Sequence, residues 1–262
     1  MSRFPLLLAL SFAILSLSRS AAAAGKSDQP LARIMARVDA AKAAGQTPVV
    51  VLDLDDTLFR VAYRTNKILL DWSSTQPPSL GLRAKIAALE PLKMPWSLPQ
   101  TFDQMGIHDA ALRKSADAAW GRGFFSNDYL EADRTVPGAV VFVRMLVHRG
   151  ARVVYLTGRD IARMQVGTER ALKKAGFPPV PTEATLILKS DYKQKDAVFK
   201  EQACASILKM GTVIAAIDNE PGNCNVFRKT FPGASVVCID TQHSPTAPPL
   251  DPGIALLPDF RF

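Results

Sequence analysis

Hydrophobic residues recur along the chain with two periods, which separate predicted strands from predicted helices. Between the strands lie segments with helical spacing, several of them opened by proline or aspartate and closed by glycine. Continuous apolar runs of strand length, typical of strands covered on both faces, occur at residues 49–53, 153–156, 185–188, 213–217 and 236–239. This alternation predicts an α/β fold with a doubly wound, mostly parallel, five-stranded Rossmann-like sheet.

The segment 60–135 interrupts the alternation of strands and helices. It is too long for an ordinary connection, and it contains helix-like patterns at residues 83–89 and 109–120. We therefore predict a helical cap over residues 60–135, inserted into an α/β core domain that is formed by residues 25–59 and 136–262.

The N-terminus has the layout of a secretory signal peptide. Arg3 precedes an apolar run over residues 4–17, and a stretch of small residues follows at 21–25. We predict that residues 1–24 are a signal peptide and that the protein is periplasmic or secreted. The apolar run is shorter than the ~20 residues that a spanning helix needs, so no stable membrane anchor is expected.

Charge and cysteine content narrow the choice of partners. The chain has a formal net charge of +8 at pH 7, with its Lys and Arg residues dispersed, which favours small anionic substrates over a nucleic-acid partner. Cys204, Cys224 and Cys238 have no CxxC spacing, which argues against a zinc site or a redox motif. Either one disulfide or three buried thiols remains compatible with the sequence.

Two carboxylates, Asp53 and Asp55, stand just beyond the first apolar strand. An extended backbone points side chains two positions apart in the same direction. Thr157 and Asp218 follow two later strands, and the carboxyl ends of parallel strands meet at one edge of a sheet, where ligands bind. The chemistry is therefore expected at Asp53, Thr157 and Asp218.

These residues resemble the motifs of the haloacid dehalogenase (HAD) superfamily, in particular its acid-phosphatase-like branch. Asp53, Asp55 and Thr57 fill the first motif, Thr157 with Gly158 the second, and Asp218 the fourth. The resemblance extends from Val49 onward, although the cap is matched only by its position and helical character. It implies an exported, Mg²⁺-dependent phosphatase that acts on a small phosphomonoester.

The resemblance also implies a role for each residue. Asp53 is the nucleophile that forms an aspartyl-phosphate, Asp55 is the general acid and base, and Thr157 with Gly158 binds the phosphoryl group. Mg²⁺ is held by Asp53, the backbone carbonyl of Asp55, and Asp218. A cation is needed at such a site because an anionic ester repels a carboxylate nucleophile.

The third motif of the superfamily is a lysine that bridges the nucleophile and the phosphate, and the spacing leaves four candidates. The resemblance favours Lys200, as catalytic and substrate-binding residue, in the pair Phe199-Lys200. Lys195 ranks second, and Lys189 and Lys193 are interpreted as surface charges.

Several other polar residues near the motifs have open or non-catalytic interpretations. Asn219, Glu220 and Asn223 depart from the commoner acidic pairs of the fourth motif, so their roles stay open. Arg60, Arg64 and Lys67 begin the cap segment and are interpreted as exposed helix charges, with contact to the leaving group as the alternative.

Three competing functions remain to be weighed. A carbon–halogen hydrolase needs no acid to protonate a departing halide, so Asp55 argues against it. A phosphotransferase or mutase of the same fold would retain both aspartates. A non-catalytic phospholigand-binding protein would be suggested by the loss of a motif residue, and none is lost.

Overall fold

The structure, a computed structural model, describes residues 29–262. The predicted signal peptide, residues 1–24, lies outside the described residues. The strands are β1 (Pro48–Leu52), β2 (Phe59–Arg60), β3 (Arg134–Thr135), β4 (Arg152–Asp160), β5 (Ala184–Lys189), β6 (Thr212–Asp218), β7 (Ser235–Ile239) and β8 (Ala255–Leu257). Six of them form one sheet in the order β5-β4-β1-β6-β7-β8, and every neighbouring pair is parallel.

The predicted α/β class is therefore confirmed, but the predicted number of strands is one too low. The additional strand, β8, contributes three residues at the edge of the sheet and pairs with β7. Its residues are only partly buried, so it lacks the continuous apolar run that marks the central strands.

Helices occupy the connections between the strands. They are α1 (Pro30–Ala43), α2 (Ala62–Ser73), α3 (Leu82–Ala87), α4 (Leu98–Gln104), α5 (Ala110–Phe124), α6 (Ala139–His148), α7 (Ile161–Ala175), α8 (Asp196–Ile207) and α9 (Pro221–Thr230), with 3₁₀ turns at Pro78–Leu80, Pro91–Lys93, Leu130–Ala132 and Leu208–Met210. Asp160 caps α7 by accepting a hydrogen bond from the Arg163 N–H, and Gly176 ends that helix in the left-handed region, as its residue type favours.

The helices cover the sheet on both faces. Val50 and Leu52 of β1 pack into a core cluster with residues of α1, α6 and α7. Val49 and Val51 point to the other face, into a second cluster with residues of α8 and α9. Successive side chains of a strand alternate between its two faces. Because helices cover both faces of β1, every residue of this strand is buried, and the apolar run has no polar interruption.

The segment between β2 and β3 is helical and has a core of its own. β2 and β3 pair antiparallel, with Phe59 opposite Thr135, and so bring the two ends of the segment together. Trp72 packs edge-on against Phe102 within a cluster formed by α2, α3, α4 and α5. Trp96, in contrast, is largely exposed. We refer to residues 60–135 as the cap, and its boundaries as a separate domain stay a prediction.

The three cysteines are all buried, and within residues 29–262 none of them takes part in a disulfide. No helix in this described range is long and apolar enough to cross a membrane.

Candidate active site

The central strand β1 places the predicted nucleophile between two other strand ends. Leu52 is opposite Tyr155 of β4 and Ile217 of β6. Asp53, which follows Leu52, donates its N–H to the Ile217 carbonyl at 3.0 Å. Thr157 and Asp218 thus lie at the carboxyl ends of the two strands that flank Asp53, as predicted for a doubly wound sheet.

A tight turn follows Asp53 and brings a hydroxyl back to it. The Leu54 carbonyl accepts hydrogen bonds from the N–H groups of Thr57, Leu58 and Phe59. Asp56 adopts φ 55° within the turn, a conformation in which aspartate and asparagine are enriched. As a result the Thr57 hydroxyl lies 2.9 Å from Asp53 Oδ2.

Lys200 is the lysine that contacts the predicted nucleophile. Its Nζ donates to Asp53 Oδ1 at 2.7 Å and to Asp218 Oδ2 at 2.6 Å, and all three side chains are buried. Burial lowers the pKa of the Lys200 ammonium, but the attraction of Asp218 and Asp53 outweighs burial and holds that pKa above its ordinary range. For Asp53, burial has the larger effect. It raises the pKa of this carboxyl to about 7, although the attraction of Lys200 lowers it.

The other candidate lysines are directed elsewhere. Lys189 Nζ donates to Asp196 Oδ1 at 2.7 Å and to the Gln194 carbonyl at 3.1 Å, so it holds together the loop before α8. Lys195 precedes the first residue of α8 and is exposed. Lys193 is exposed in the same loop, with its ammonium 5.8 Å from the centre of the Tyr192 ring.

The first turn of α9 holds Asp218 in place. Asn223 Nδ2 lies 3.1 Å from Asp218 Oδ1 and 3.3 Å from Oδ2, and the Glu220 N–H donates to Oδ1 at 2.9 Å. Asn223 therefore orients a carboxylate, and its role in the reaction stays open. It is a neighbour of the predicted metal-binding group rather than a simple helix cap.

Thr157 and Gly158 form the end of β4 that faces this cluster. Thr157 is buried, and its hydroxyl oxygen accepts a hydrogen bond from the Arg159 N–H at 3.3 Å, which leaves its proton free to be donated. A Cβ at Gly158 would lie 2.1 Å from Asp196 Oδ2. The side chain of Asp196, the first residue of α8, therefore lies directly against this glycine.

Asp55 is held by arginines that the sequence did not identify. Arg64 NH2 donates to Asp55 Oδ1 at 2.8 Å, and Arg159 Nε donates to the same oxygen at 3.1 Å. Burial works against ionisation, but Arg159 and Arg64 together hold the pKa of Asp55 well below its ordinary range. The interpretation of Arg64 as an exposed helix charge is wrong, because its side chain is fully buried.

A third residue that the sequence did not single out, Asp133, completes this group. Arg64 Nε donates to Asp133 Oδ1 at 2.9 Å, and Arg159 NH2 donates to Asp133 Oδ2 at 3.0 Å. Asp133 is 69 residues from Arg64 along the chain, so no local pattern pairs them. Arg159 directly follows Gly158 of the second motif, and this position is the one signal that the sequence offers for the group.

A chain of hydrogen bonds leads from the nucleophile to the cap. The Thr57 hydroxyl lies 3.2 Å from Asn219 Oδ1, and Asn219 Nδ2 donates to the Gln242 carbonyl at 2.6 Å. The Gln242 amide in turn donates to the Met94 carbonyl, in the cap. Asn219 therefore links the turn after β1 to the segment after β7.

The residues present fit a small divalent cation. Asp53 and Asp218 place two buried carboxylates against one ammonium, so this cluster carries an excess negative charge. Carboxylate oxygens are the donors that Mg²⁺ prefers. Within residues 29–262 no three His, Cys, Asp or Glu side chains converge as a metal site.

Comparison with known proteins agrees with this geometry. Residues 128–219 match the model of the HAD superfamily, subfamily IIIB (acid phosphatase). No curated protein matches the chain. The resemblance to HAD-superfamily hydrolases that the sequence predicted is thereby confirmed.

Solved structures with the same fold are distant in sequence. A candidate phosphatase from Clostridium difficile is 15% identical, with a TM-score of 0.50, over 77% of this chain and 89% of that chain. CbbY from Rhodobacter sphaeroides, solved in complex with phosphate, is 12% identical, with a TM-score of 0.46, over 82% and 95%. At such identity the first of these similarities supports the fold alone.

Proposed function

We propose that this HAD-superfamily hydrolase is an exported, Mg²⁺-dependent phosphomonoester phosphatase that acts through an aspartyl-phosphate on Asp53. One observation carries the proposal: the buried Asp53 carboxylate, at the end of the central strand, is bound by Lys200, which also binds Asp218. A cluster of this kind, with a nucleophile and a fixed cation beside it, is suited to attack on an anionic ester.

Asp53, Asp218 and the backbone carbonyl of Asp55 would hold Mg²⁺, which when bound neutralises the charge of the ester and of the carboxylate that attacks it. The Lys200 ammonium lies within hydrogen-bond distance of Asp53 Oδ1, where it also offsets charge on the phosphoryl group. The Thr157 hydroxyl, with its proton free, donates to a phosphoryl oxygen.

The two half-reactions use the two aspartates of the first motif. In the first, an Asp53 oxygen forms a bond to phosphorus, the bond from phosphorus to the leaving oxygen breaks, and Asp55 delivers a proton to that oxygen. In the second, Asp55 accepts a proton from the water that hydrolyses the aspartyl-phosphate. For the first of these steps Asp55 has to carry a proton when the ester is bound, against the effect of Arg159 and Arg64, which lower its pKa.

The experiment that tests this proposal is turnover of p-nitrophenyl phosphate with MgCl₂ by wild-type protein and by the Asp53→Asn variant. We expect the variant to lose at least ~10³-fold in kcat, since it lacks the nucleophile. The matched control is Asp56→Asn, in the same turn at φ 55°, where asparagine is equally tolerated. Unchanged turnover in Asp53→Asn would exclude the covalent mechanism.

A second measurement addresses the intermediate and the metal. Rapid acid quench followed by intact-mass analysis is expected to reveal a phosphorylated wild-type protein and none with Asp53→Asn. EDTA is expected to abolish turnover, and MgCl₂ to restore it. Retention of full activity in excess EDTA would exclude the metal requirement while leaving the nucleophile intact.

Export is supported by the N-terminal sequence pattern alone, residues 4–17 and 21–25. Expression of the full chain in a Gram-negative host, with N-terminal sequencing of protein released by osmotic shock, is expected to give a mature protein that starts close to Gly25. Recovery of the full-length chain only from the cytoplasm would refute export.

A further inference from the structure

Asp133 lies where the cap meets the α/β core, and it binds an arginine from each side. Arg64 belongs to α2 of the cap, and it donates to Asp133 through Nε at 2.9 Å and through NH2 at 2.6 Å. Arg159 belongs to the end of β4 in the core, and its NH2 donates to Asp133 Oδ2 at 3.0 Å. The Asp133 side chain is fully buried, as are both guanidinium groups to within 1%.

The same two guanidiniums reach Asp55 through one of its oxygens only. Arg64 NH2, Arg159 Nε and Arg159 NH2 all donate to Asp55 Oδ1. Among the described residues, no donor is within hydrogen-bond distance of Asp55 Oδ2, and 32% of the Asp55 side chain is exposed. The two oxygens of this carboxylate are therefore unequal: Oδ1 accepts hydrogen bonds from both arginines, whereas Oδ2 accepts none from the described residues.

Asp133 is what limits the arginines to one oxygen of Asp55. A guanidinium binds a carboxylate most favourably through two parallel hydrogen bonds. Arg64 uses that paired geometry on Asp133 and has only a shared NH2 left for Asp55. Without the second carboxylate, two buried cations would face Asp55 alone, and both of its oxygens would be drawn into contact with them.

We propose that Asp133 is a positioning residue for the reaction: it anchors Arg64 and Arg159 so that they bind Asp55 through Oδ1 and leave Oδ2 to exchange the proton with the leaving group. The inference rests on the proposed phosphatase function and adds a residue outside the four motifs. It assigns to Asp133 no contact with the substrate and no proton transfer of its own.

The leaving group provides a readout that a purely structural role would not affect. A p-nitrophenolate ion departs readily without a proton, whereas an alkoxide such as that of glycerol needs one. The Asp133→Asn variant keeps the size of the side chain but removes its charge. We expect kcat/KM, which reports the steps up to departure of the leaving group, to fall at least ~10²-fold for glycerol phosphate and less than ~10-fold for p-nitrophenyl phosphate, because the loss of general acid catalysis costs ~10²–10⁴-fold.

Two further variants make the result interpretable. Asp128→Asn, an exposed aspartate in the same part of the cap, is expected to leave both substrates unaffected. Arg64→Lys keeps the positive charge without the paired geometry, and it is expected to show the same dependence on the leaving group as Asp133→Asn. If Asp133→Asn does not fold, Arg64→Lys decides the question.

Equal losses on the two esters, in whichever of these variants is folded, would overturn the proposal and leave Asp133 as a purely structural group. This outcome differs from failure of the phosphatase function itself. In that case the wild-type protein would hydrolyse neither ester, or Asp53→Asn would hydrolyse both as well as the wild type.

Discussion

At the scale of single residues, Lys200 illustrates how burial selects one candidate among several. The four candidate lysines, from the end of β5 to the second turn of α8, have similar surroundings in the sequence. Only the fold reveals that Lys200 stands one helical turn inside α8, on the side that faces the sheet, while Lys195 stands outside the helix and is exposed. The resemblance favoured Lys200, and the contact with Asp53 supports that choice. Its catalytic role stays a prediction.

Replacing Lys200 with Met is expected to reduce both activity and stability. Loss of the ammonium leaves Asp53 and Asp218 as buried carboxylates without a cationic partner, which costs about 3–5 kcal/mol in the free energy of unfolding. We expect kcat for p-nitrophenyl phosphate to fall below ~1% of the wild-type value. Urea unfolding in EDTA, with Lys195→Met as the control, measures the loss of stability.

The pH dependence of that loss has a definite sign. When folding raises the pKa of a carboxyl, that carboxyl is protonated in the folded protein at any pH below the raised pKa. Its burial then costs little free energy. Since the pKa of Asp53 is already about 7 with Lys200 present, the destabilisation by Lys200→Met should be smaller at pH 5 than at pH 8. A loss of stability that is equal at the two pH values would contradict the assignment of Asp53 as the uncompensated charge.

The arginines mark the limit of inference from the sequence at this scale. Arg64 lies in a stretch with no acidic partner at helical spacing, so the sequence favoured exposure. Its partners are Asp55 in the turn after β1 and Asp133, 69 residues further along the chain. Pairings that depend on how the cap folds back on the core leave no local signal.

At the scale of elements, apolar runs and helix ends were predictable because each depends on local chemistry. The central strands are buried on both faces, and Asp160 and Gly176 delimit α7 as their residue types favour. The edge strand β8 was missed, since three half-exposed residues carry no such pattern. The site at the strand ends followed from parallel topology, which the alternation of strands and helices already implied.

The entry into α6 gives a testable case of backbone proximity. Gly138 precedes this helix with φ 78°, and a Cβ there would lie 2.5 Å from the Phe260 backbone carbonyl. Backbone cannot move aside as a flexible side chain does. We therefore expect Gly138→Ala to lower the free energy of unfolding by about 1–3 kcal/mol more than a glycine replacement that creates no contact.

Gly253→Ala is the matched control. Gly253 has φ 86°, so alanine meets the same backbone strain there, but the nearest atom to its Cβ is a side-chain nitrogen at 3.8 Å. The two variants are compared by their free energies of unfolding in urea. The difference between their losses of stability gives the cost of the steric contact at Gly138. Equal destabilisation would mean that left-handed strain, rather than the contact with the C-terminal segment, accounts for the need for glycine at position 138.

At the scale of the whole molecule, we expect the site to couple stability to pH and to the proposed metal ion. Folding raises the pKa of Asp53 from 3.8 to about 7, so the stability that this group contributes is present below pH 4 and is lost as the pH rises through about 7. A cation that binds the ionised form opposes this loss and competes with the proton.

We therefore expect MgCl₂ to raise the melting temperature more at pH 8 than at pH 5. The shift should disappear in Asp218→Asn, which removes one proposed ligand, and should persist in Asp240→Asn, an exposed aspartate just after β7. Differential scanning fluorimetry measures both. A shift that is independent of pH, or that survives in Asp218→Asn, would argue against metal binding at this cluster.

The hydrogen bonds that run from Thr57 through Asn219 and Gln242 to Met94 have a consequence for substrate choice. Under the proposed function, an ester bulky enough to displace the cap would break the contact at Met94 and loosen the support of Asn219 before any bond to phosphorus forms. The size of the leaving group would then affect how fast Asp53 reacts. Discrimination among esters is expected in kcat as much as in KM, so an assay of affinity alone would misjudge which substrate this enzyme prefers.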